Sequence, residues 1–261
     1  MTPTSTFPFG QPVHTVTQTD RTPRHVFILG VYASAVHARW INASGKTVVN
    51  ALAVASEPYI FWRGDNAEST IQQITIPQAL GKLLPARAEF NGPSGIALDN
   101  LILNPLGLDR SKIWLCDLVP QSCANPSQSK AIQRAYLPLV QKYGLSIPTV
   151  PPVPRQLTDE NRRKAIVDEL IESQAGVLVL LGDKPIQWFL RYFDNRWKML
   201  SDFGMEEHAY GQLHSTQIGS IEIKVLPLAH HRQIARLGQS SPLWYNRHQR
   251  WVRQTANKIS L

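Results

Sequence analysis

Cysteine is scarce in this chain: 261 residues carry two, Cys116 and Cys123. Two cysteines cannot supply a disulfide framework or a four-thiolate centre, and no Cys-x-x-Cys pair or Cys/His cluster with metal-ligand spacing is present. No metal and no cofactor is therefore expected, and Cys116, inside an apolar run, reads as a small buried hydrophobe. Long apolar runs are also missing. No stretch approaches the roughly 18 residues that a membrane helix needs, so no membrane partner is expected. Residues 1–23 are rich in Thr and Pro and lack an apolar leader segment, so they read as an N-terminal tail rather than a signal peptide. A cytoplasmic location is the expectation that goes with this cysteine usage. The last deficit is of acid. After Glu222 the chain has no Asp or Glu, yet Lys224, Arg232, Arg236, Arg247, Arg250, Arg253 and Lys258 all follow it.

Those seven basic residues nearly equal the whole net charge of +8. A like-charged block is often a solvated face. Here it is interleaved with Trp244, Tyr245 and Trp251, which suits a folded surface that meets a polyanion such as nucleic acid. At 43% hydrophobic and 18% charged, the remainder has ample material for a core.

Near-continuous apolar runs bounded by turn residues predict strands over 25–32, 112–119, 175–183 and 221–230. Such runs fit parallel strands covered on both faces. Helices are predicted over 94–107, over 127–144 ending at Gly144, over 158–176 from an N-cap at Thr158 to a stop before Gly176, and over 183–193. Segment 45–62 reads as a hairpin or edge strands, the Pro-rich 148–157 as a connector, and His208 and His214 as surface residues of a strand pair. The alternation implies a three-layer α/β/α domain, with a central, mainly parallel four-stranded sheet, over residues 24–261. Ligands of such sheets gather beyond the carboxyl ends of the strands, which brings Tyr32, Asp117, Gly182 and His230 into consideration together.

The strand ends carry an ordered set of motifs. Gly30-Val31-Tyr32-Ala33-Ser34 closes the first strand as a polar turn, with His37 and Arg39 beyond it. Phe90-Asn91-Gly92-Pro93-Ser94-Gly95 opens a helix. Cys116-Asp117-Leu118 closes the second strand, Gly182-Asp183-Lys184 the third, and Ala229-His230-His231-Arg232 the fourth. This order resembles the uracil-DNA glycosylase superfamily, and most of all its iron–sulfur branch, over roughly residues 24–253. The cluster itself is not implied, because that branch uses four cysteines. The resemblance implies that Gly30 through Ser34 corresponds to the water-activating loop and Phe90 to the aromatic on which a flipped base stacks. Asp117 corresponds to the residue that reads the base edge, and His230 to the histidine that stabilises the departing base. The loop from His231 corresponds to the part that enters the minor groove.

The residue types suit that chemistry. A base must leave the stack to be acted on. An aromatic floor holds it, and a neutral imidazole donor stabilises the charge that develops on it. The departures matter equally. Val31 and Tyr32 stand where the superfamily carries a carboxylate or amide. Asp117 replaces an amide, so when ionised it only accepts, whereas a protonated Asp117 would both donate and accept. Arg232 stands where serine is usual. The expectation is a monomeric, DNA-binding glycosylase-like protein that hydrolyses an N-glycosidic bond slowly or with altered base specificity. In it His230, Tyr32 and Ser34 are catalytic, and Gly30, Val31, Phe90 and Asp117 bind the base. Arg39, His231, Arg232 and Arg236 contact DNA. A non-catalytic nucleic-acid or nucleotide binder of the same superfamily is the alternative. An unrelated α/β enzyme for a small anionic substrate is a third reading.

Overall fold

A computed structural model describes residues 5–206, 208–235, 241–259 and 261. In chain order the strands are β1 (Val26–Tyr32), β2 (Ala35–Ile41), β3 (Thr47–Ser56), β4 (Lys82–Pro85), β5 (Ile113–Val119), β6 (Val177–Leu181), β7 (His214–Ile218) and β8 (Ile221–Leu228). The helices are α1 (Ala67–Gln72), α2 (Pro93–Leu98), α3 (Pro126–Ala131), α4 (Leu137–Tyr143), α5 (Glu160–Ser173), α6 (Asp183–Trp188), α7 (His231–Ile234) and α8 (Pro242–Gln254). No helix among the described residues is long and apolar enough to cross a membrane.

The chain groups into two compact units, each assembled from several segments. The first comprises Met1–Val16, Tyr32–Gly95 and Pro120–Arg155; the second comprises Thr17–Val31, Ile96–Val119 and Gln156–Leu261.

The second unit is built on a sheet in the order β5-β1-β6-β8-β7. All four predicted strands are in it, and β1–β6 and β6–β8 pair in parallel. The α/β class and the mostly parallel sheet are as expected, and compatible with three layers. The strand count is not: β7 adds an antiparallel edge, so the sheet has five strands. Its sequence, His-Ser-Thr-Gln-Ile, is too polar to stand out as an apolar run. The signal that marks it is the turn instead. Ile218 pairs with Ile221 across Gly219-Ser220, and Gly219 adopts φ 60°, as a two-residue hairpin requires. His214 opens this strand, whereas His208 sits in a turn outside any strand.

β5 is buried along its whole length, and Phe27 of β1 stacks on Trp114 with ring centroids 6.5 Å apart. α5 starts one residue later than predicted. Asp159, not Thr158, caps it by accepting from the Arg162 N–H, and it stops before Gly176 as expected, at Gln174 in the left-handed region.

The first unit holds a three-stranded antiparallel sheet, β3-β2-β4. β2 corrects the reading of the Gly30–Arg39 stretch. β1 runs through Gly30 to Tyr32, the polar turn shrinks to Ala33-Ser34, and His37 and Arg39 belong to a strand. That strand alternates buried and less buried residues, with Val36, Ala38 and Trp40 inward and Arg39 exposed. Its core gathers Trp40, Leu52, Val54, Trp62 and Tyr136. The helical stretch read over 127–144 supplies Tyr136 and closes, as expected, at Gly144 in a left-handed cap.

The segment read as a tail contributes to this core. Phe7 is fully buried against Ala35 and Ala53, and Phe9 meets Trp40 and Tyr136 edge-on at 5.4 and 5.0 Å. Phe7→Ala is expected to cost about 3–5 kcal/mol, as for any fully buried aromatic. Denaturant unfolding of the variant checks this; a change below about 0.5 kcal/mol is what a loose arm would give.

Candidate functional site

The chain leaves β1 for β5 on one side and returns to β6 on the other. That reversal is the topological switch point, beyond whose carboxyl ends ligands of open α/β sheets bind. Leu29 pairs with Leu180, so two residues further on Val31 and Gly182 stand at neighbouring strand ends, about 5 Å apart in backbone spacing. Two titratable side chains are fastened to these ends, both in the second unit.

Asp117 is fastened on the β1 side. It lies inside β5 rather than at its end, 3% exposed, and its carboxyl accepts from the Val31 N–H. Burial pushes its pKa up to about 7, partly opposed by the Arg162 guanidinium and by that backbone donor. An ordinary surface Asp is ionised throughout the neutral range; this one titrates within it.

His230 is fastened on the β6 side. Gly182 has φ +83°, and a Cβ there would stand 2.8 Å from the His230 Cβ, so the strand end needs glycine both for its backbone and for the approach of His230. His230 caps α7: its Nδ1 accepts from the Arg232 N–H at 3.2 Å, while its own N–H donates to the Gln233 side chain. Burial, and then the Arg232 charge, lower its pKa to about 4. The ring is therefore neutral at pH 7, with Nδ1 as acceptor and its hydrogen on Nε2. His231 is 5% exposed, its ring 4.0 Å from that of His230, and burial holds it neutral too.

A buried relay that the sequence did not reveal holds this loop. The N–H of Ala229, next to His230, donates to the Tyr210 hydroxyl at 2.9 Å. Tyr210 bonds His248 Nδ1 at 2.9 Å, and His248 Nε2 bonds the Leu101 carbonyl at 2.7 Å. A carbonyl only accepts, so Nε2 carries the hydrogen, Nδ1 accepts, and the tyrosine donates. Burial keeps His248 neutral, with its pKa near 4, and raises that of Tyr210. Each group is satisfied in one arrangement only. The relay thus ties α8, whose basic residues drew attention in the sequence, to the strand end that carries His230. Its sequence signal was only a Tyr and a His among other aromatics.

The remaining candidates lie as follows. Gly30 and Val31 are in the second unit, on β1. Tyr32 ends β1, and Ser34, half-buried, follows it; both belong to the first unit, where the Ser34 carbonyl accepts from the Ser122 hydroxyl. Phe90, also in the first unit, is half-buried in a short 3-10 turn, with the Arg87 guanidinium 5.8 Å from its ring. Asn91 braces this turn by bonding both N–H and C=O of His37, and Pro93 starts α2 as expected. Arg39 is exposed on β2 and Arg232 on α7, whereas Arg236 lies outside the described residues. No group of metal-ligating side chains occurs among the described residues. The chain matches no protein-family model and no curated protein.

Tyr210→Phe removes one hydroxyl and strands two buried partners, the Ala229 N–H and His248 Nδ1. It is expected to cost about 2–6 kcal/mol in chemical denaturation, from about 1–3 kcal/mol for each unsatisfied group. Asp117→Asn tests the shifted carboxyl. Between the unfolded value of 3.8 and the folded value of about 7, the native state keeps a proton that the unfolded chain has released. The wild type should therefore lose stability relative to the variant as pH rises from about 4 to 7, by about 1.4 kcal/mol per pH unit, with no further change above 7. His230 and His248 are common to both proteins and cancel. A pH-independent difference would mean that the carboxyl titrates normally.

Proposed function

We infer that this protein binds DNA, takes a base out of the stack, and hydrolyses its N-glycosidic bond slowly or with a base preference other than plain uracil. The observation that carries the reading is His230: a neutral imidazole at a strand end of the switch point, its Nδ1 engaged by the Arg232 N–H and its hydrogen on Nε2. A neutral donor of this kind suits the oxygen of a departing base. The C1′–N bond breaks, the base leaves with the electron pair, and water supplies the hydroxyl to C1′ and a proton to the base. A positioned donor at the developing anion contributes about 10²–10³ in rate. Asp117 supports the reading from the other strand. While protonated it offers a donor and an acceptor, as an amide does, to the N–H and C=O of a lactam edge. Ionised, it only accepts, which suits an exocyclic amine. In the second unit the exposed Arg232 is a proposed phosphate contact; in the first unit, taken by itself, Phe90 is a proposed stacking surface and the exposed Arg39 a proposed phosphate contact.

A second reading, a binder without glycosidic chemistry, draws on one specific feature. Val31 and Tyr32 leave the first motif without a carboxylate, so no carboxylate base of that motif would orient water. Single-stranded and duplex oligonucleotides carrying one uracil, hypoxanthine, xanthine or mismatched base separate the two, with abasic sites read by strand cleavage in alkali. Product that falls about 10²–10³-fold in His230→Ala is the expected result. Salt-sensitive binding without product would select the second reading, and neither product nor binding at low salt would overturn both.

A further inference from the structure

Arg162 joins the Asp117 backbone to a second buried carboxylate, and the Cys116 thiol lies between the same two groups, with its Sγ 3.7 Å from the Asp117 carbonyl and 3.7 Å from Glu169. Arg162 projects from the first turn of α5 and spreads its guanidinium along β5: Nη2 donates to the Asp117 carbonyl at 2.6 Å, Nε to the Leu118 carbonyl at 3.1 Å, and Nη2 also meets Cys116 Sγ at 3.2 Å. Its Nη1 lies 3.4 Å from Glu169, one face along the same helix and 8% exposed. Glu169 is held in turn by the Trp114 indole N–H at 3.2 Å and by Arg21 at 3.8 Å. Alternation along β5 puts Trp114 and Cys116 on the α5 side of the strand and the Asp117 side chain on the other. The guanidinium therefore grips the strand from one face while its charge acts on a carboxyl at the opposite face.

A fork on two successive carbonyls does more than brace a strand. Burial disfavours the ionised form of Asp117, and the nearby guanidinium favours it; Glu169 offsets part of the guanidinium charge. The other group that faces the Asp117 carboxyl is the Val31 N–H on β1, which favours the carboxylate; the Cys116 thiol lies on the α5 side of the strand, where burial and Glu169 suppress its ionisation. We propose that Arg162 and Glu169 are positioning residues which together set the charge of Asp117, and with it whether the site accepts a lactam edge or an amine edge. This rests on the base-reading role given to Asp117, but the balance among the three groups is a property of the protein alone. It makes base choice depend on pH within the neutral range: lactam edges are favoured on the acid side of the Asp117 titration and amine edges on the alkaline side.

The test needs no DNA, so its failure is separate from failure of the glycosylase reading. The full-length protein, labelled with ¹³C at aspartate carboxyls, is titrated by NMR or infrared, and the Asp117 signal is identified by its loss in Asp117→Asn. Arg162→Met should raise the Asp117 midpoint by about one pH unit or more, and Glu169→Gln should lower it. Arg162→Lys, which keeps the charge and loses the fork, should stay close to the wild type. A purely structural role for Arg162 predicts no such opposed shifts. A midpoint unmoved by Glu169→Gln overturns the proposal, whether or not the Arg162 variants fold; shifts of one sign in both Arg162→Met and Glu169→Gln overturn it as well. If the opposed shifts appear and DNA binding is absent, the charge balance stands and the glycosylase reading falls.

Discussion

The parallel pairing of β1 with β6 is the constraint on which the candidate site depends. It is formed by runs of Val, Ile, Leu and Phe that are buried on both faces, and a slip of one residue would turn every side chain over. Because the seam is fixed at Leu29 opposite Leu180, the levels of Val31 and Gly182 are fixed too. The Asp117 and His230 side chains are then attached to these two strand ends. Asp117 takes its backbone donor from Val31, and His230 packs on the bare Cα of Gly182. A core feature with no chemistry of its own thus decides where the chemistry is held.

Both attached groups are pushed toward their uncharged forms by the same cause acting in opposite senses. Burial raises a carboxyl and lowers an imidazole, so Asp117 moves up to about 7 while His230 moves down to about 4. Pairs of titratable groups pushed in this way are characteristic of sites that transfer or share protons. They are also costly to a fold, and the second unit surrounds them with fully satisfied polar structure: the Arg162 fork behind Asp117 and the Tyr210–His248 relay behind His230. Each fixes the backbone on which the unusual residue sits.

How much of this could be read in the sequence follows from which forces leave a local trace. Burial on both faces leaves an unbroken apolar run, so β1, β5, β6 and β8 were visible to within a residue or two. Gly144 and Gly182 were visible because a left-handed backbone favours glycine. β7 was hidden because an edge strand needs few apolar residues, and β2 because a strand with His37 and Arg39 on its less buried face mimics a polar turn. Asp159 displaced Thr158 as the cap for a reason that spacing does not show, since the Thr158 hydroxyl donates instead to the Trp188 carbonyl, thirty residues away. The Thr- and Pro-rich start of the chain hid Phe7, a single buried ring among residues that favour extended, exposed backbone.

The supports of the site were hidden more deeply, and for a different reason. Arg162, Glu169, Tyr210 and His248 act across sequence separations of tens of residues, so no spacing relates them to Asp117 or His230. In the chain Arg162 is one of three consecutive basic residues on a helix, and Glu169 one of several acids on it. Composition assigns all of them to a solvated face. What sets these two apart is that the helix packs on a strand whose backbone carbonyls, near the switch point, have lost water. A guanidinium can replace that water with a planar fork, and a carboxylate must then follow it into the interior to balance the charge. Once Asp117 occupies a dry position within β5, a cation on the reverse of that strand is the least expensive way to keep its carboxyl within reach of ionisation, and Glu169 limits how far the cation tips the balance.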